Sequence, residues 1–272
     1  MSSKTPAMSN PELPPAKSAG DMPLVAHLTE LRSRLLRIVL IWLLIFAGLF
    51  YFANDIYAFI SEPLRALLPE GTSMIATDVA SPFLTPFKMS LFVALFLAMP
   101  VVITQVWAFV APGLYKREKK FALPLVLSSI VLFYAGVAFA YFVVFPLMFA
   151  FFVGYTPEGV TMMTDIAYYL DFILTLFFAF GLAFEVPIAT VMLVWSGLVP
   201  LSTLGKARAY VFLGAFVIGM LLTPPDAISQ TMLAVPVYLL YEVGLFMARV
   251  FGPTPESPDE DEVELGTEGG DE

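Results

Sequence analysis

The chain has 272 residues, 59% of them hydrophobic, with one His, no Cys and a formal net charge of −9. The absence of Cys excludes disulfides and thiol chemistry, and the single His27 excludes a metal centre built on several histidines. Apolar stretches of about 20 residues that are hydrophobic all round exclude an ordinary soluble domain and point to an α-helical membrane protein.

The net charge does not describe the membrane body. Nine of the 23 acids lie between Glu256 and Glu272, a segment without Lys or Arg, which leaves 14 acids against 14 bases. Residues 251–272 therefore read as a solvated, disordered acidic tail. At the other end, residues 1–22 are rich in Pro, Ser and Lys and read as a disordered lead with no cleavable signal.

Between these tails, hydrophobicity predicts six spans, at about 35–53, 89–110, 121–145, 170–195, 209–222 and 228–248. The expected class is all-α: a six-span bundle over residues 23–250, curved and kinked, with the last two spans short. Pro100, Pro124, Pro146, Pro187 and Pro236 fall in or near spans, where each can bend its helix and free a carbonyl. The 14 residues of the fifth span reach only ~21 Å, against a hydrocarbon core of ~30 Å. Thr223-Pro224-Pro225-Asp226 forces an abrupt turn into the sixth.

Lys and Arg set the orientation. Twelve bases, from Lys4 through Arg249, fall on one side of this topology, and only Arg65 and Lys88 fall on the other. Both termini are therefore expected in the cytoplasm of a plasma-membrane protein. On the outer side, Ile56, Phe59, Ile60, Leu64 and Leu67 have the spacing of an amphipathic surface helix that Pro63 would kink or restart.

Three acids stand out. Glu185 lies in an apolar run with no cationic partner, and a carboxylate there must be protonated, paired or hydrated. It suits equally a structural glutamate bonded to a neighbouring helix and a functional group. Glu30 and Glu118 are the lone acids of two basic clusters just outside spans, where they stay ionised and could grip a guanidinium through its planar fork. The plainer reading of Glu30 is an i,i+4 pair with Arg34, worth a few tenths of a kcal/mol.

The segments HLTELRSRLL, SMIATDVASPF, QVWAFVAPGLYKREKK, AYFVVFPL, AFGLAFEVP and GAFVIGMLLTPPDAISQ resemble the TatC family in order and spacing, from about Pro23 to Arg249. TatC is the core subunit of the twin-arginine protein translocase. The resemblance implies a receptor that is not an enzyme and needs no cofactor or metal. It would bind the twin-arginine signal peptides of folded cargo and use the proton-motive force. It implies that Glu30 and Glu118 face the paired arginines, with Arg32 and Phe109 in the same patches. Met220, Thr223 and Gln230 fall on the docking site for the single-span partners TatA and TatB. Pro63, Asp78 and Asp226 match an outer cap, and Glu185 matches the family's buried glutamate. Partners are thus TatA, TatB, cargo signals, lipid and further copies of the chain, with no role for nucleic acid.

A proton-coupled solute transporter using Glu185 is the competing class. It would show an internal repeat with interrupted helices, and the halves show none. An intramembrane enzyme lacks its residues, having no HExxH, no Cys and no paired buried aspartates.

Overall fold

A computed structural model describes residues 22–67, 74–114, 122–157, 159–160, 163–223 and 226–251. The expected lead and tail, Pro69, Glu158, the 115–121 basic segment with Glu118, and the Pro224-Pro225 turn lie outside the described residues. Among those residues the architecture is all-helical, with a single isolated bridge between Ile75 and Asp165.

Helix α1 (Met22–Leu49) tightens through one 3-10 turn at Phe50–Phe52 and continues as α2 (Ala53–Leu67). Asp55 in the first turn of α2 and Arg65 in its last complement the helix dipole. The helix runs on through position 63, so Pro63 neither breaks nor restarts it; the Pro63 side chain lies outside the described residues. Ile60 is buried, and Ile56 and Tyr57 pack on the same core, so the expected amphipathic helix docks on protein through this face.

Helix α3 (Ser81–Leu114) is a 34-residue rod that passes through Pro100. Pro100 has no N–H to give to the carbonyl four residues earlier, on Phe96. The Tyr134 hydroxyl donates to that carbonyl at 3.0 Å, so the freed acceptor becomes a tie between helices. Helix α4 (Ala122–Phe139) widens into a π turn at Ala140–Val144 and continues as α5 (Phe145–Gly154). The wide turn falls just before Pro146, where a proline removes one backbone donor.

Helix α6 (Ile166–Ala183) and α7 (Val186–Trp195) are separated by a turn at Phe184-Glu185, with Pro187 in the first turn of α7. Short α8 (Leu201–Lys206) leads to α9 (Arg208–Leu222) and then α10 (Ala227–Phe251). At 25 residues, α10 is not a short span; it extends the expected 228–248 at both ends. Among the described residues, five stretches are long and apolar enough to cross a membrane, and α9, at 15 residues, is a shorter apolar helix.

Helix α1 packs on α3, α4 on α6, and α10 on both α7 and α9. Phe133, Phe145, Tyr169 and Phe180 form the buried centre. Half of the α6–α7 span window is buried and none of the α1 window is, so α6 is the axis and α1 a peripheral helix. Leu35, Leu36, Leu40, Leu43 and Leu44 on α1 stay exposed, the surface a hydrocarbon solvent would cover. The Tyr169 hydroxyl donates to the Ile60 carbonyl at 2.9 Å, fastening α6 to α2.

Asp165 caps α6. One carboxylate oxygen accepts from the N–H groups of Ala167 (2.8 Å) and Tyr168 (3.2 Å); the other accepts from the Thr77 hydroxyl (2.6 Å) and N–H (2.9 Å). The Thr77 hydroxyl, then these backbone donors, hold the carboxyl well below its usual range, at about 2. Asp165 thereby pins the strap before α3 to the start of α6.

Candidate functional site

The helix ends that bear Arg34 and Arg208 make up the basic end of the bundle. Glu30 lies in the N-terminal part of α1, its side chain 46% exposed. The Arg34 guanidinium, one turn later and only 19% exposed, reaches it: Nε donates to Glu30 Oε1 at 3.0 Å, and Nη2 donates to the same oxygen. The same guanidinium crosses to α3, where Nη1 donates to Gln105 Oε1 and Nη2 to the Ala108 carbonyl, each at 3.2 Å. Arg34 thus joins α1 to the last turns of α3, just before the segment that carries Glu118.

Phe109 is half-buried and follows Ala108, whose carbonyl Arg34 holds. Arg32 is exposed, and two residues along a helix turn it away from the Glu30–Arg34 face. Glu118 lies outside the described residues. The i,i+4 pair foreseen in the sequence is therefore present, but its crossing to α3 is not a local feature. The available signal was Gln105, a polar residue in the last part of an apolar run.

Glu185 occupies the turn between α6 and α7. Ser129 of α4, fully buried, hydrogen-bonds to its side chain, and the Trp107 indole of α3 donates to the Ser129 hydroxyl at 3.0 Å. One Glu185 oxygen, Oε1, is buried without a hydrogen-bond partner among the described residues. The neighbour is thus a hydroxyl on another helix. Ser129 was the missed polar residue in the third apolar run.

Helices α9 and α10 meet where Gly219, one residue before Met220 and one turn before Thr223, faces Gln230. Met220 is exposed; Thr223 is buried, its hydroxyl donating to the Gly219 carbonyl at 2.9 Å. A Cβ on Gly219 would meet the Gln230 carbonyl at 3.4 Å, so the two helices nearly touch here. Asp226 begins α10 by accepting the Ser229 N–H at 2.7 Å. Asp78 is exposed, its carbonyl accepting from the Ser81 N–H at the start of α3. At the basic end the same pair of helices is tied by Arg208 Nε to Glu242 Oε1 at 2.8 Å. A cavity of about 720 Å³ is walled mainly by apolar side chains such as Phe92, Leu174, Phe178 and Val237, with the Lys88–Asp171 ion pair as its charged lining.

Comparison with known proteins fits this architecture. The family model of TatC, described as Sec-independent protein translocase protein, matches residues 26–236. A protein of Azotobacter chroococcum, named Sec-independent protein translocase protein TatC, is 69% identical over 231 residues, which are 85% of this chain and 91% of that one. The protein of the same name in Escherichia coli K12 is 56% identical over 229 residues, 84% of this chain and 89% of its own. The crystal structure of a twin arginine translocase receptor, TatC, superposes with a TM-score of 0.75 at 37% identity, covering 82% of this chain and 98% of that one. A shared helix order, a match over most of the length and these identities lead to one conclusion: the chain belongs to the TatC family of Sec-independent protein translocase proteins.

Proposed function

We propose that this multi-pass protein is the receptor and assembly platform of a twin-arginine translocase. It binds the paired arginines of a signal peptide at its basic end, which faces the cytoplasm together with both termini. It recruits TatA and TatB along the membrane, works beside further copies of itself, and draws on the proton-motive force. The 23–250 body carries these roles, between a disordered lead and a disordered acidic tail.

The observation that carries this reading is the Glu30 carboxylate. It is a partly exposed anion among bases, on a helix fastened to the end of α3 just before Glu118. A carboxylate accepts two parallel N–H groups from a guanidinium, whereas an ammonium offers only a point contact. Two carboxylates, Glu30 and the Glu118 that follows α3 in the sequence, would suit two adjacent arginines. Phe109 follows the Arg34-bound Ala108, where its ring suits the apolar part of a signal, and Arg32, on another face of α1, suits a contact beyond the carboxylate.

The polar turn between α9 and α10 supports the docking role. Met220 supplies an exposed apolar contact and Gln230 a half-buried amide beside a 15-residue helix, while Thr223, buried and bonded to the Gly219 carbonyl, shapes the docking turn from within. A polar residue on a partner helix would gain roughly 0.6–2 kcal/mol there. Glu185, Pro63, Asp78 and Asp226 fit architectural roles: a turn between helices for Glu185, the outer cap for the others.

Photocrosslinking a twin-arginine signal peptide along the chain tests the assignment. Adducts should concentrate near Glu30 and in the 115–120 segment and fade when the peptide arginines become lysines. An undiminished map with the lysine peptide, or with Glu30→Gln and Glu118→Gln combined, rejects it. Gln230→Leu should separately reduce copurification of TatB.

A further inference from the structure

The hydrogen bonds around Glu30 carry a consequence for how the site fills. Both Arg34 donors that reach Glu30 converge on one oxygen, Oε1. A second guanidinium that docks bidentately needs both carboxylate oxygens. It cannot form that fork while Arg34 holds Oε1. The Arg34 guanidinium also has somewhere to stay if it lets go, because Nη1 keeps Gln105 Oε1 and Nη2 keeps the Ala108 carbonyl. Release therefore leaves the guanidinium hydrogen-bonded to two neutral acceptors on α3. Arg34 is also the more buried partner, so the incoming group meets the exposed carboxylate first.

From this geometry we infer that Arg34 is the resident occupant of the Glu30 guanidinium site, and that a signal-peptide arginine binds by displacing it. The inference rests on the proposed role of Glu30 and adds an affinity threshold. Any cation that docks must outcompete a guanidinium already in place. An ammonium has one charge centre and no planar fork, so its intrinsic affinity for the carboxylate is the lower one. The resident arginine divides the apparent affinity of every incoming cation by the same factor, so it screens out weak binders without changing the intrinsic preference for arginine. An exposed ion pair of this kind imposes a competition factor of about two to five.

The test uses the full-length chain in nanodiscs and a fluorescent signal peptide carrying either Arg-Arg or Lys-Lys. Four proteins are titrated: wild type, Arg34→Gln, Arg34→Lys and Glu30→Gln. Displacement predicts that Arg34→Gln binds both peptides about two- to fivefold more tightly, with the ratio between them unchanged, because the resident group taxes every ligand by the same factor. Arg34→Lys keeps the charge but holds Glu30 less well, so it should shift in the same direction. It decides the matter if the Gln variant does not fold. A structural tether alone would leave both affinities unchanged or weaken them. Weaker or unchanged binding in the Arg34 variants, with Glu30→Gln weakened, overturns displacement and leaves Glu30 as the receptor group. Unchanged binding in Glu30→Gln removes both.

Discussion

At Gly136 the helix α4 lies directly against the backbone of α6. A Cβ added there would sit 2.4 Å from the Phe180 carbonyl oxygen, 2.9 Å from its carbon and 2.9 Å from Phe184 Cγ. Two of these atoms are backbone and cannot rotate aside. In Gly136→Ala the helices must separate by at least about 0.6 Å before the closest contact reaches 3.0 Å. Overpacking of this kind costs about 1–3 kcal/mol. Alanine also favours the helix by up to about 1 kcal/mol, which offsets part of it. Gly214→Ala on α9 isolates the steric share, because a Cβ there meets nothing within 4 Å. Both variants gain the same propensity, so their difference is the packing cost alone. In thermal unfolding in a mild detergent, Gly136→Ala should melt below Gly214→Ala by roughly 2–4 °C for each kcal/mol. Equal melting temperatures would refute the argument that backbone contact between α4 and α6 holds this part of the bundle.

Ser129→Ala removes the hydroxyl shared by Trp107 and Glu185, and should destabilise the protein by about 1–3 kcal/mol, read by unfolding with Trp emission as a second probe. Asp165→Asn tests the α6 cap through pH. The folded carboxyl titrates at about 2, below its usual 3.8, so its stabilisation is complete above about pH 4 and lost as pH falls through about 2. Wild type should lose stability across that window, and Asp165→Asn should lack the step while being less stable at neutral pH.

Long, uniformly apolar runs made the helical class readable from the sequence, because nothing but lipid accepts them. Local rules also found α2 and the i,i+4 pair of Glu30 and Arg34. The rest depends on contacts between distant residues. Pro63 looked like a break, yet α2 continues through it, and docking of Ile60 and Tyr169 on the same core helps hold the helix in place. The last helix read as short because Asp226 and Arg249 bound its apolar run, although Asp226 in fact caps it. Glu185 was visible as an anomaly, but its hydroxyl partner is 56 residues earlier on α4. Arg34 was legible as a charge pair, and its crossing to Gln105 and Ala108 became apparent only once α1 lay against α3.

The central claim is that two carboxylates at the basic end hold a pair of arginines, and equilibrium binding addresses it most directly. A labelled Arg-Arg signal peptide titrated against the nanodisc-embedded chain should lose at least about tenfold in affinity when Glu30→Gln and Glu118→Gln are combined, the cost of one charge-assisted hydrogen bond or more. Equal dissociation constants for the two proteins, with both still folded, would contradict the account.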